Sequence, residues 1–271
     1  MKGLLVVNDS IPLSMAPAIP LFIAPRFPEG YDVVVAVSRL ATGGLTVGSL
    51  GALWSGEDGV RRASGGGRYH AEAGDYHVAI VLRGGSLRWA YSRYEEELQG
   101  DGVVGIGKSS GKPFVEVYTG RDPIGRIEEL FPELEEGDPI EPELLEPIAV
   151  DLARDEWRDP IDGGSRLASY RVASGRHYFG LVGVVGEEGL ILRAWPDSTI
   201  HVYPPGLARS VVKEIGMAPP SMPLAFHAAN GFLSLVEYAG VESSHIVEAF
   251  QGFIREAERL AGGDRGQGGV P

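Results

Sequence analysis

Prolines at 132, 139, 142, 147 and 160 stud the stretch PELEEGDPIEPELLEPIAVDLARDEWRDP. Each fixes φ at roughly −65° and removes a backbone donor, so neither a long regular helix nor a central strand is expected to run through it. The chain is divided there, and the residues on either side must each bury a core of their own. Residues 128–159 hold thirteen acidic and two basic residues, so most of the net charge of −13 sits in this zone. Such a run reads as a solvated linker with a helical part. The expected organisation is a larger unit over 1–131, an acidic, Pro-rich linker over 132–160, a small unit over 161–262 and a disordered tail over 263–271.

Before the divide, LLVV, YDVVVAVSRL, TVGSLGAL, YHVAIVL and PFVEVYT have the β-branched or alternating character of strands. SLRWAYSRYEEELQG spaces Leu87, Tyr91, Tyr94 and Leu98 along one helical face. DPIGRIEELF reads as a short helix with Asp122 as N-cap and Pro123 at its first position. After the divide come SRLASYRVASG, HYFGLVGVVG and EGLILRAW, with GEEG as a hairpin link between the last two. The helices PPGLARSVVKEIG and ESSHIVEAFQGFIREAERLAGG follow. The fold class is therefore α+β: a mixed or antiparallel sheet flanked by helices, plus a small α+β C-terminal domain.

Charge and cysteine content narrow the function. The acidity and the lack of a concentrated basic face exclude nucleic acid as a partner. No run approaches the ~20 apolar residues of a membrane span, and MKGLLVVNDS is a poor signal peptide, so a cytoplasmic protein without a membrane partner is expected. There is no cysteine, which rules out thiolate metal sites and any mechanism through a cysteine thioester. Only four lysines accompany twenty arginines, and two of the four, Lys108 and Lys112, share one short segment.

GVRRASGGGRYHAEAGDYHVAIVL places Gly65, Gly66 and Gly67 in a row ahead of a strand. A triplet of glycines is entropically costly, and it belongs where backbone takes unusual dihedrals or approaches something closely. A plain loop meets that description as well as a ligand loop does. The flanks favour a ligand: Arg61 and Arg62 are permanently charged forks suited to phosphate or carboxylate, Ser64 adds a hydroxyl, and glycine N–H groups can form an anion-binding nest. Neither the Walker spacing nor the G-x-G-x-x-G dinucleotide fingerprint is present.

RRASGGGRYH resembles the R-R-x-S-G-G-G motif, with its following histidine, of the lipoate–protein ligases, a family grouped with biotin–protein ligases and octanoyltransferases. LTVGSLGALWS resembles the strand and turn that precede the motif. GKSSGK resembles the family's K-x-S-G segment, matching Lys108, Ser110 and Gly111, with Lys112 as the alternative lysine. LILRAWPDSTIHVYPPGLARSVVKEI and GVESSHIVEAFQGFIREA resemble the small accessory domain of these ligases. The likeness runs over about residues 40–120 and, more thinly, 165–260.

The resemblance implies an ATP-dependent ligase that converts lipoic or octanoic acid to acyl-AMP and transfers the acyl group to a lysine of an acceptor protein, a lipoyl domain or a glycine-cleavage H-like protein. It implies ATP and Mg²⁺ as cofactors and a catalytic role for Lys108. Arg61, Arg62, Ser64, Gly65, Gly66, Gly67, His70, Ser110 and Gly111 would contact substrate and nucleotide, and Asp75 is the candidate for Mg²⁺. The alternative is a degenerate, non-catalytic member that binds a ligand or partner. The chain departs from the pattern in three places: prolines 12, 17 and 20 fall in the expected first helix, the stretch before GKSSG is short, and the usual His-Asp pair is His70-Ala71 with Arg68 after the glycines. His77 lies in a strand pattern and reads as structural.

Overall fold

The computed structural model describes residues 1–98, 100, 102–154, 160–161 and 166–262. The chain forms two compact units, one of Met1–Ser49 with Glu57–Asp159, the other of Leu50–Gly56 with Pro160–Pro271.

The first unit is built on a six-stranded mixed sheet of β1 (Gly3–Ile11), β2 (Val33–Leu40), β6 (Tyr76–Leu82), β7 (Val103–Ser109), β8 (Lys112–Thr119) and β9 (Leu134–Gly137). Its order is β7-β8-β6-β2-β1-β9. Strand β1 runs parallel to both β2 and β9, and the remaining pairs are antiparallel. The near-continuous apolar runs of β2 and β6 follow from burial on both faces. A small sheet of β3 (Gly44–Val47), β4 (Gly59–Arg61) and β5 (Tyr69–Ala71) belongs to the same unit, in the order β4-β3-β5.

One face of the large sheet, with Val34, Ala36, Ala79, Val81 and Phe114, packs against α1 (Ala18–Ile23) and α4 (Pro142–Ala153). On the other face Val78 and Val117 share a cleft of about 90 Å³ with Leu98 of α2 (Leu87–Leu98) and Ile127 of α3 (Ile124–Leu130). Asp122 caps α3 through its Oδ1, which accepts from the Ile124 N–H at 3.0 Å. The prolines near the N-terminus break the expected first helix into pieces without abolishing it. Pro17 stands at the N-cap of a six-residue α1, flanked by 3₁₀ turns at Leu13–Met15 and Ala24–Arg26, and Ala18, Ile19 and Ile23 are buried.

The acidic stretch carries β9 and α4. Pro142 opens α4, where a missing N–H costs nothing, and Leu145 is fully buried in the first unit's core. These elements therefore belong to the first unit, where the sequence reads as a linker.

The second unit is an antiparallel meander of β10 (Leu167–Ser174), β11 (His177–Val185) and β12 (Ile191–Pro196), with a short pair, β13 (His201–Tyr203) and β14 (Glu237–Ala239). The sheet packs with α5 (Pro205–Lys213), α6 (Met222–Leu235) and α7 (Ser243–Gly262) around Phe179, Phe232 and Phe250, whose ring centroids are 5.1 to 6.2 Å apart. Leu50–Gly56 is inserted from the earlier chain: Leu50 is fully buried in this core, Ser198 donates to the Leu50 carbonyl at 2.9 Å, and Ile161 donates to the Leu53 carbonyl at 2.6 Å. The architecture is the α+β class expected, with a mixed sheet flanked by helices. Among the described residues, no helix is long and apolar enough to cross a membrane. The expected disordered tail, 263–271, lies outside the described residues.

Candidate functional site

The glycine triplet leaves β4 and crosses the free edge of β7. The Gly65 N–H donates to the Ile106 carbonyl at 2.9 Å, so the loop closes part of an otherwise unpaired strand edge. Backbone is stacked on backbone there. A Cβ on Gly48 would lie 2.2 Å from the Gly66 carbonyl oxygen, and one on Gly66, whose φ is +88°, would lie 2.3 Å from the Val104 carbonyl oxygen. A Cβ on Gly105 would lie 2.5 Å from Ser64 Oγ. Gly66, the middle of the triplet, thus has a packing reason, as have Gly48 and Gly105 against it. Gly67 meets nothing within 4 Å, so close packing does not account for it.

Arg62 holds the loop's shape. Its guanidinium is fully buried and donates to Thr46 Oγ1 at 3.2 Å and to the carbonyls of Gly65 and Gly67 at 3.1 and 2.7 Å. It also lies over the Tyr118 ring, 5.1 Å from the centroid. Arg61, buried as well, donates to the Gly48 and Ser49 carbonyls at the end of β3. Both arginines therefore act first on the protein's own backbone. Turning the Gly65 carbonyl toward Arg62 leaves the other end of that peptide, the Gly66 N–H, pointing away, and among the described residues neither it nor the Gly67 N–H has an acceptor. Ser64 Oγ and Arg62 Nε are buried without a partner. Unpaired donors gathered on a glycine loop form an anion-binding concavity.

Beneath the loop lies a polar layer of His77, which the sequence reads as structural, with Glu116 and Tyr118, which it does not single out. On the sheet face that carries Gly105, directly opposed residues form rows: Ser38, His77, Tyr118 and Val103 in one, Ala36, Ala79, Glu116 and Gly105 in the next. Glu116 and His77 are both fully buried, with His77 Nε2 3.1 Å from Glu116 Oε1, and the Tyr118 hydroxyl is 3.4 Å from the same oxygen. Burial, reinforced by the Glu116 charge, pushes the Tyr118 phenol well above its ordinary range. Tyr69 lies against Tyr118 at 5.9 Å and donates to Asp75 Oδ2 at 2.8 Å; burial first, then that hydrogen bond, pushes its phenol up to about 12. An acid inside the apolar alternation PFVEVYT, on a strand buried on both faces, was the available signal for this layer.

The remaining sequence-predicted residues are spread around the loop. Ser110 and Gly111, with φ of 49° and 76°, are the two central residues of an exposed type I′ hairpin turn joining β7 and β8. The lysines on either side of this turn face opposite ways. Lys108 shares a face with Val104 and Ile106, whereas Lys112 shares the glycine-loop face with Phe114, Glu116 and Tyr118, its Nζ 6.0 Å from the Phe27 ring. His70 is exposed on β5. Asp75 is committed to the turn before β6, where Oδ2 accepts from Tyr69 and from the Glu72 N–H at 2.9 Å, and among the described residues it belongs to no group of three metal-ligating side chains. The residues present do not make a Mg²⁺ cage around Asp75. Arg68 pairs with Glu57 at the surface.

No family model and no curated protein matches the chain. Among solved structures, P. falciparum LipL1 in complex with lipoate matches 93% of this chain and 99% of its own length, with a TM-score of 0.60 and 9% identity. A lipoate-protein ligase A bound with ATP matches over 58% of this chain and 98% of its own, with a TM-score of 0.43 and 12% identity. Ta0514, a putative lipoate protein ligase from T. acidophilum with bound lipoic acid, matches over 58% and 99%, with a TM-score of 0.40 and 13% identity. With its mixed sheet flanked by helices, this chain has the fold of the lipoate–protein ligases.

Proposed function

We propose that this chain binds a carboxylic acid of the lipoate or octanoate class under its glycine loop and acts as an ATP-dependent acyl–protein ligase. The observation that carries the reading is the loop itself: Arg62 turns two carbonyls inward, and the Gly66 and Gly67 N–H groups remain for an anion. In the first step a carboxylate oxygen attacks the α-phosphorus of ATP and pyrophosphate leaves. In the second a lysine amine of the acceptor protein attacks the acyl carbonyl, AMP leaves, and the amine loses a proton. The acceptor on this reading is a lipoyl domain or a glycine-cleavage H-like protein.

The loop N–H groups donate to the acyl-phosphate oxygens, fixed donors that stabilise charge as it grows. We assign the cationic role to Lys112 instead of Lys108, because Lys112 shares the glycine-loop face. Mg²⁺ would arrive with the nucleotide; no residue of the chain is assigned to it. The protein, incubated with Mg-ATP and lipoate or octanoate at millimolar concentration, is expected to form acyl-AMP detectable by mass spectrometry, and Lys112→Ala to abolish it. Undiminished acyl-AMP in Lys112→Ala would remove the lysine assignment, and no acyl-AMP from the folded wild type would remove the ligase.

A second reading, non-catalytic binding of the acid, is favoured by one observation: the Arg62 guanidinium is already engaged with the loop's own carbonyls. It predicts saturable binding of the acid with no pyrophosphate released.

A further inference from the structure

The large sheet also has an unfilled space on the face away from the glycine loop. Alternation along β6 and β8 sends His77 and Tyr118 to the loop's face and the directly opposed pair Val78 and Val117 to the other. There Val78, Val117, Leu98, Pro123 and Ile127, all buried, wall the cleft of about 90 Å³ between the sheet, α2 and α3. Water gains little in it. An ordered water needs about two to four polar partners, and the hydroxyl on the wall, Thr119 Oγ1, already accepts from the Arg121 N–H at 3.1 Å. The space is smaller than the ~150 Å³ cavity that admits benzene, and suits an aliphatic group of about four or five carbons.

The rim sets two arginines against one aspartate, in a chain whose acidic residues outnumber its basic ones, 37 to 24. Arg126 of α3 is fixed there. Its Nη1 donates to Glu129 Oε2 at 3.1 Å, and its Nη2 to the Glu97 carbonyl, one of the last carbonyls of α2, at 3.2 Å. The tie joins α3 to α2 beside the cleft. Asp122 is committed to capping α3. Arg121 is exposed and, among the described residues, its guanidinium has no acceptor, whereas Arg93 and Arg126 each pair with a glutamate. An apolar space with such a guanidinium at its mouth fits a guest that has hydrocarbon at one end and an anion at the other. A carboxylate matches the arginine fork.

We propose that this cleft is a second small-molecule site, for a short branched aliphatic carboxylate whose alkyl end packs on Val78 and Val117 and whose carboxylate pairs with Arg121. The site lies on the opposite face of the sheet from the glycine loop and does not rest on the ligase reading. A longer chain would carry its carboxylate past Arg121, and a cation would meet two arginines at the rim.

The test is methyl-resolved NMR of the full chain, titrated without ATP into the millimolar range with 4-methylpentanoate, 4-methylpentanamide and 4-methylpentan-1-amine, which share the alkyl end. The wild type is expected to show saturable shifts of the Val78, Val117, Leu98 and Ile127 methyls. It should bind the acid about threefold or more tighter than the amide, the scale of one ion pair at a rim open to solvent, and the amine most weakly. Arg121→Gln is expected to bring the acid down to the amide's affinity and to leave the amide's unchanged, a result that misfolding could not mimic. Val78→Ile together with Val117→Ile adds a methylene at each position in the cleft and should weaken both acid and amide, with the melting temperature unchanged or raised. Cleft methyls that stay in place with every probe, an amide or amine bound as tightly as the acid, or an acid preference that survives Arg121→Gln overturns the proposal. Shifts confined to the Gly66 and Gly67 amides would overturn it as well, while favouring the loop as an acid site.

Discussion

Arg62 shows how one residue type can serve a binding loop without touching the ligand. Three of its hydrogen bonds go to Thr46, Gly65 and Gly67, and hydrogen bonds to a charged group contribute about 1.5–3 kcal/mol each. Arg62→Ala is expected to lower the unfolding free energy by about 3 kcal/mol or more in urea titration and to abolish acid binding, since the loop carbonyls would lose what turns them inward. Arg62→Lys cannot restore the fork geometry and should recover little of either. The Tyr69 and Tyr118 phenols give a second prediction. Tyr69 is raised from 10.0 to about 12 and Tyr118 is raised well above 10.0, so both are protonated in the fold at pH values where the unfolded chain has ionised them. Their contribution is fully present below pH 10 and is lost as pH rises through about 12. Alkaline titration followed by ultraviolet absorbance should show two of the ten tyrosines ionising only near or beyond that pH, together with unfolding.

At the scale of elements, the loop and the hairpin beside it depend on backbone that only certain residues adopt. Gly66→Ala would place a Cβ 2.3 Å from the Val104 carbonyl in a left-handed conformation, and is expected to cost about 2 kcal/mol or more in stability and to eliminate ligand binding. Ser110, at φ 49° in a type I′ turn, is a poorer choice than asparagine, so Ser110→Asn should raise the melting temperature slightly, by several tenths of a kcal/mol in stability. The elements differ in how readily they were read from sequence. β2 and β6 announced themselves through β-branched runs, and α7 through its helical spacing. α6 was passed over because SMPLAFHAANGFLSL mixes a proline and a glycine into an apolar segment without clear turn signals. α4 is the helical part expected of the acidic stretch, but its charge and prolines hide its place in the first unit's core, although Pro142 merely occupies the position in a helix where proline is tolerated. The glycine loop was legible from its composition, but the roles within it were not: whether an arginine meets a phosphate or its own backbone, and which of two lysines faces the loop, depend on strand register, which residue identity alone leaves open.

For the whole molecule, the decisive feature is that the two units are not consecutive in sequence. Leu50–Gly56 sits in the second unit, with Leu50 in its core and Trp54 bridged to Ile161, while the residues on either side belong to the first. A cut at the proline-rich stretch should therefore fail to yield an independent C-terminal unit. Residues 160–271 expressed alone are expected to melt less cooperatively and to bind more of a hydrophobic dye than the full chain, with recovery when a peptide spanning 50–56 is supplied. On the proposed function, the unpaired N–H groups of the glycine loop are where the activated acid binds. The most direct test is an amide nitrogen–proton NMR spectrum of the wild-type protein titrated with a non-hydrolysable lipoyl-adenylate mimic. The Gly66 and Gly67 signals are expected to move first and furthest, downfield as their N–H groups acquire an acceptor. Saturable binding that leaves those two signals in place would contradict it.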